Sequence, residues 1–173
     1  MNNSEKYYGK YRGIVINNID PENKGRIMVQ VADLTQLTPS TWAEACVPIA
    51  GGETPAGVYV VPAIGSNVWV EFEQGDLRYP IWTGCFWGSQ TDVPSLALEG
   101  LPGSPSIILQ TTGQNMIVIS DLPGPTGGIM LTNNTGAMIL INDVGITISN
   151  GQGASIQLVG PTIMLNEDAM TIV

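Results

Sequence analysis

Two hydrophobic rhythms divide this chain. Over its second half, short aliphatic runs are cut apart by Gly, Asn, Pro and Thr. They occupy residues 106–109, 115–119, 128–131, 137–141, 145–148, 155–158, 162–165 and 170–172. Strand-sized runs at intervals of about 7 to 12 residues, each bounded by turn formers, predict a stack of β-strands and no helix. Alternate positions in these runs fall on one face of a strand. That face carries Ile107, Leu109, Ile117, Ile119, Ile129, Leu131, Ile139, Ile141, Ile146, Ile148, Ile156, Leu158, Ile163, Leu165 and Ile172. Burying each such side chain stabilises by roughly 1.5–3 kcal/mol. A lone copy offers no second sheet to cover the face, so its expected complement is another copy of the same chain, and the residues named are its predicted core.

The first half has a different rhythm. Residues 11–16 read as a strand, 17–25 as a turn cluster with Asp20-Pro21 and a closing Gly25, and 26–31 as an answering strand. A polar stretch over 33–40 precedes a strand over 42–48. The loop 50–57 leads to the apolar run Val58-Tyr59-Val60-Val61. The cleanest alternation lies in 67–73, where Val68, Val70 and Phe72 face one way and Trp69, Glu71 and Glu73 the other. A final strand runs over 79–87. Five or six strands in about 90 residues suit a small closed barrel. Residues 93–106, with three prolines and two glycines, read as an extended, semi-rigid connector. The expected layout is therefore 1–92 as a barrel, 93–106 as a linker and 107–173 as the repeat region.

Charge sharpens the division. All six basic residues lie at or before Arg78 and the formal net charge is −9, with no histidine. Charged residues are 12% of the chain, about half the usual share, as expected of a surface largely covered by other chains. Nucleic-acid binding needs a basic stripe, and the second half has none; anionic membranes are disfavoured on the same ground. Cys46 and Cys85 lack CxxC spacing and read as small buried thiols, a single bridge being the alternative. No secretory signal and no run of about 20 apolar residues is visible. Release from a cell is then expected by lysis or inside a larger machine.

The ordered series Gly13-x-Val15…Asp20-Pro21…Gly25-Arg26-x-x-Val29, Trp42-Ala43…Pro48…Gly51-Gly52 and Pro62-x-x-Gly65-x-x-Val68-x-Val70-x-Phe72-x-x-Gly75-Asp76…Pro80…Gly84 resembles the OB-fold domain of central spike proteins of contractile injection systems. That family includes baseplate assembly protein V and the cell-puncturing device of contractile-tailed phages, and the valine-glycine-repeat spike of type VI secretion. The resemblance covers residues 9–88. It implies an all-β chain: an N-terminal OB-fold barrel, then a C-terminal β-helix in which three chains intertwine as a β-prism. It also implies a homotrimer whose OB-folds cluster on the threefold axis under a tail hub protein. Three copies would bury the aliphatic faces mutually, for tens of kcal/mol as a rough upper bound before chain entropy, and closure would protect sheet edges. The chain departs from the family in three ways. Strict Val-x-Gly octapeptides are missing, zero histidines remove any His-x-His iron site, and the linker is too short for a lysozyme insertion. The apolar end Thr171-Ile172-Val173 suggests a separate tip protein of the proline-alanine-alanine-arginine type, a frayed or folded-back end being the alternative.

Candidate chemistry is sparse. Without histidine no Ser–His or Cys–His pair can form. Glu71, Glu73 and Asp76 read as a solvated barrel face rather than a glycosidase pair. Glu167-Asp168 reads as an acidic turn; three copies would make a ring able to hold Ca²⁺ or Mg²⁺, the less favoured reading, and no metal site is assigned. Asp121 and Asp143 are expected outside, at turns, because like charges on a closed axis are costly. Tyr7, Tyr8, Lys10, Tyr11 and Arg12, with Lys6, form the aromatic–basic cluster. Tyr and Arg favour interface hot spots, so it is the predicted hub-docking surface; first-strand packing and base stacking are the alternatives. Trp69, Trp82 and Trp87 read as core or rim.

The expectation is thus a structural protein with no enzymatic activity and no cofactor: the central spike of a contractile tail baseplate, in a virion or an extracellular injection particle, assembled in the cytoplasm. It would dock under the hub and pierce the target cell envelope on sheath contraction, with Thr, Asn, Gln and Ser outside on a smooth shaft. An OB-fold single-stranded nucleic-acid binder with a repetitive tail is the alternative. A β-solenoid carbohydrate-active enzyme is disfavoured because residues 88–173 hold no aromatic.

Overall fold

In the computed structural model, residues 5–35, 38–167 and 169–172 are described. The chain divides into two compact units, Met1–Gly88 and Ser89–Val173.

The N-terminal unit is a curled half-barrel sheet. Its strands are β1 (Tyr11–Asn17), β2 (Met28–Gln30), β3 (Glu44–Ala45), β4 (Asn67–Phe72) and β5 (Pro80–Cys85), in the order β2-β1-β4-β5-β3. All pairs are antiparallel except β3 with β5. The predicted alternation of β4 holds: Val68, Val70 and Phe72 are buried, and Asn67, Trp69 and Glu71 are half-buried. They join Val15, Ile27, Val29, Val31, Ala43 and Trp82 in one core. Its centre is dry: Val15, Ile27, Val29, Val31, Val68 and Val70 are each at most 1% exposed.

Three local expectations give way. The strand over 42–48 shrinks to β3: its parallel ladder to β5 ends with Cys46 N donating to Trp82 O (3.0 Å), and Pro48 has no N–H to continue it. The polar stretch holds one helical turn, α1 (Ala32–Thr35), where none was expected. Leu34 N donates to Val31 O (3.1 Å), and the turn brings the Leu34 side chain onto the core. The apolar run over 58–60, which a six-strand barrel would have needed, forms no strand.

The C-terminal unit is one antiparallel meander of eight strands. They are β6 (Ile107–Gln110), β7 (Met116–Ser120), β8 (Gly128–Thr132), β9 (Met138–Ile141), β10 (Ile146–Ser149), β11 (Ser155–Val159), β12 (Thr162–Leu165) and β13 (Met170–Ile172). Each pairs with its neighbours in chain order. All eight predicted runs are strands. The stretch before β6 is less extended than expected, since Ser95–Leu98 winds into a 3-10 turn that touches β6.

A turn device that the repeat spacing concealed sets the strand register. Asn133 Oδ1 accepts from Thr135 N (3.0 Å) and Ala137 N (2.9 Å). Asn142 Oδ1 accepts from Val144 N (2.9 Å). Asn150 Oδ1 accepts from Gln152 N (2.8 Å) and Ala154 N (3.0 Å). In each case the carboxamide oxygen stands in for a backbone carbonyl and accepts from the N–H two residues on, and a glycine with positive φ follows at the third position: Gly136, Gly145 and Gly153. At Gly145 the freedom is obligatory, because a Cβ would run into the Leu158 carbonyl.

Candidate assembly interface

The register of the meander sorts the predicted core residues into two transverse ladders. Ile107 stands opposite Ile119, Ile119 opposite Ile129, and Ile129 opposite Ile141. The line continues through Ile146, Leu158, Ile163 and Ile172. The second ladder passes through Leu109, Ile117, Leu131 and Ile139, then Ile148, Ile156 and Leu165. The second ladder ends at Met170 on β13; every other rung is Ile or Leu, and all lie on the same face by the two-residue period of a strand.

This face is bare in the single chain. Ile107 and Leu109 are 63% and 67% exposed, and Leu158, the least exposed of the others that stand in solvent, is 39% exposed. Ile146 and Leu165 are half-buried; the side chain of Ile172 lies outside the described residues. A contiguous aliphatic surface across eight strands is far larger than scattered apolar residues on an ordinary monomer. It has the chemistry of a core cut open.

The opposite face departs from the polar shaft surface expected. It begins apolar, with Ile108, Val118, Met130 and Leu140 in one register line across β6–β9, and Val118 is buried at 6% exposure. It continues with Thr147 and Gln157. Met164 follows on β12, so the polar stretch of this line is confined to β10 and β11 before Thr171 on β13. Two turns on this sheet are pinned by acids: Ser104 Oγ donates to Asp121 Oδ2 (2.5 Å), and Gly124 N donates to Asp143 Oδ2 (2.9 Å). Both aspartates are exposed.

The N-terminal cluster of Tyr7, Tyr8, Lys10, Tyr11 and Arg12 is divided by the fold. Tyr7 and Tyr11 pack against the core, the Tyr11 ring lying 5.6 Å from that of Phe72. Lys10 Nζ pairs with Glu71 Oε1 (2.8 Å) and donates to Thr83 Oγ1 (2.9 Å). The Arg12 guanidinium sits 4.7 Å from the Phe86 ring centre and 5.2 Å from that of Trp69. Tyr8, Lys10 and Arg12 remain exposed. Trp82 is core and its Nε1 donates to Gly25 O (3.1 Å), Trp69 is half-buried, and Trp87 is exposed.

Of the charged pair that matters most locally, Asp20 was read as a turn residue and Arg26 as the start of a strand, and neither as a buried ion pair. Asp20 and Arg26 are both buried. Arg26 Nη2 and Nε donate to Asp20 Oδ1 (2.7 and 3.1 Å). The backbone N–H groups of Glu22, Lys24 and Arg26 also donate to the same carboxylate. These bonds, the Arg26 contact foremost, hold the Asp20 carboxyl well below its ordinary value against the opposing effect of burial. Arg78, bonded to Asp76 through Nε (3.0 Å) and Nη2 (2.6 Å), does the same to Asp76. The spacing Asp20…Gly25-Arg26 was visible, but nothing in the chain marks an arginine as buried.

Cys46 and Cys85 are free and exposed, not buried, because β3 is an edge strand and Cys85 ends β5. Glu73 lies past the end of β4 in a 3-10 turn. Glu167 is exposed at a turn, and its partner in the proposed ring, Asp168, lies outside the described residues. Among the described residues, no three His, Cys, Asp or Glu side chains converge on a metal-sized site, and no helix is long and apolar enough to cross a membrane.

Residues 11–87 match the family described as the type VI secretion system/phage-baseplate injector OB domain. Residues 106–171 match the phage baseplate V C-terminal trimerisation domain. No curated protein matches the chain.

Proposed function

The chain belongs to the phage baseplate V family of central spike proteins, a structural family of the tail baseplate, and from that premise we propose that it is the piercing element of a contractile machine. Three copies assemble through the C-terminal domain. Their aliphatic ladders turn inward around one axis, and the closed shaft is driven through the target cell envelope when the sheath contracts. The role is mechanical, with no turnover. The observation that carries this reading is the pair of uninterrupted Ile/Leu ladders standing exposed on the isolated chain.

The physical logic is that of a core divided among chains. Two ladders per chain, six in a trimer, supply an apolar interior that no single copy can build. Hydrogen bonds along the meander make each wall continuous, which suits a shaft loaded along its length. The N-terminal barrel needs no such help, and it is the adaptor to the tail hub. Tyr8, Lys10 and Arg12 are its exposed docking groups; Tyr7 and Tyr11 support them from the core side. A tip protein on the far end of the shaft remains part of the proposal.

Imaging of intact particles tests this. The expected result is density for three copies of this chain on the tail axis below the tube, with antibody to the C-terminal unit labelling the distal end. Label distributed along the sheath or tube wall would refute it. Binding of a single-stranded oligonucleotide at low salt would favour the alternative of a nucleic-acid-binding module.

A further inference from the structure

Among the described residues, all but one of the basic side chains of this acidic protein face a carboxylate. Lys10 Nζ lies 2.8 Å from Glu71 Oε1, and Lys24 Nζ lies 3.2 Å from Glu22 Oε2 and 3.5 Å from Glu44 Oε1. Arg26 is closed by Asp20 and Glu22, and Arg78 by Asp76. Lys6 lies near enough to Asp76 to help hold its carboxyl down. Arg12 is the exception: its guanidinium meets no carboxylate among the described residues. It is set instead against two rings, 4.7 Å from the centre of Phe86 and 5.2 Å from that of Trp69, which themselves lie 4.7 Å apart. The seat follows from the sheet. Arg12 on β1 stands opposite Trp69 on β4, away from the core, and the position beside Trp69 on β5 is Gly84. A Cβ at Gly84 would meet nothing within 4 Å, so the surface beside the stack stays open. Arg12 is exposed, and Ile14, the next residue on that face of β1, is 48% exposed.

An arginine held against aromatic rings loses little further freedom on binding, and its planar fork of N–H donors matches a carboxylate through two parallel hydrogen bonds. Lys10, already paired with Glu71 and bonded to Thr83, offers no comparable group. We propose that Arg12 is the charge-recognition residue of the N-terminal unit: it receives one exposed Asp or Glu carboxylate of the tail hub protein, with Trp69 and Phe86 as the apolar floor of the contact. This rests on the docking reading above and narrows it from a cluster to one cation and one complementary group. Two observations select a protein carboxylate as the occupant. A nucleic-acid backbone needs a row of free cations; this face supplies one, on a chain whose formal net charge of −9 repels polyanions. An apolar floor beside a single charge instead fits one acidic side chain set among apolar neighbours, the setting in which Arg and aromatic residues carry binding energy.

The test replaces the chain in assembling particles. A producing strain deleted for this gene is complemented with full-length variants, and the chain in purified particles is counted by mass spectrometry against the sheath protein. Arg12→Ala should lower incorporation by about tenfold or more. Arg12→Lys, which keeps the charge and loses the fork, should lower it several-fold, and Lys10→Ala should stay near wild type. Each purified variant should keep the three-chain mass and the thermal transition of the N-terminal unit. In the Arg12→Lys particles that form, carbodiimide should join the amine at position 12 to an Asp or Glu of another baseplate protein. Wild-type incorporation of Arg12→Ala would overturn the proposal and leave the spike and docking readings standing; wild-type incorporation of a chain with Tyr8, Lys10 and Arg12 all changed to Ala would remove the docking surface as well. A fall in incorporation matched by a lower thermal transition or a lost three-chain mass would overturn it in favour of a structural role. A carbodiimide bond to a second copy of this chain would overturn it in favour of a contact within the trimer. A single-stranded oligonucleotide bound by the wild type and released by Arg12→Ala would overturn it in favour of a nucleic acid.

Discussion

The two units solve the burial problem in opposite ways. The N-terminal unit places six branched side chains at or below 1% exposure inside a sheet that curls on itself. The C-terminal unit, with a similar supply of aliphatic residues, buries Val118 and leaves its Ile/Leu ladders in solvent. The difference lies in topology rather than composition. A sheet whose order β2-β1-β4-β5-β3 departs from chain order brings distant strands around one core. A meander in strict chain order keeps every strand in one wall, so the face it presents must be covered from outside. Domain-level self-sufficiency and assembly-level dependence are thus visible side by side in one chain.

That contrast can be broken most sharply at the ladder. Ile139→Asp puts three carboxylates into the proposed interior, and even after relaxation an unpaired buried charge costs several kcal/mol. The expected outcome is loss of the trimer by sedimentation velocity, with the thermal transition of the N-terminal unit, followed by the fluorescence of the four tryptophans it contains, left in place. A trimer that survives would mean that the ladder is not the interface.

The reverse experiment targets the other core. Ile27→Ala, at a fully buried site, should destabilise the N-terminal unit by about 2–5 kcal/mol. Its denaturation midpoint falls while the mass of the particle does not change. Coupled loss of both would show that the two units are not independent.

The mildest effect is in acid. Native Asp20 and Asp76 are held below the ordinary carboxyl value of 3.8. Their stabilisation is therefore complete above that value and is lost as pH falls below it towards their native values. The N-terminal unit should lose stability progressively below about pH 4, the unfolded-state range for Asp. Asp20→Asn should flatten that slope at the cost of a lower midpoint at neutral pH. The ladder, made of Ile and Leu, has no group that titrates. An equally steep acid transition in the C-terminal unit would contradict the contrast.

Much of this was legible in the residues because strands with a two-residue period announce their faces. The eight C-terminal strands follow from aliphatic runs bounded by turn formers, and the buried set of β4 from alternation. The aliphatic face was legible for the same reason. What stayed hidden depends on partners far along the chain. Arg26 is buried because Asp20 and its turn wrap it, and no local pattern marks that. Tyr7 and Tyr11 look like a surface cluster until β4 places Phe72 beside Tyr11. The run over 58–60 has strand-like residues, but Val58 N donates to Ile49 O instead of joining a ladder. The Asn-x-x-Gly turns were readable in principle; they were obscured because their asparagines, Asn133, Asn142 and Asn150, are unevenly spaced.

The account depends most on the association state of the intact chain. Sedimentation equilibrium at micromolar concentration should return three times the chain mass of 18.3 kDa, unchanged by salt because the contact is apolar. A species of one chain mass across that range, with the ladders stably exposed, would contradict it.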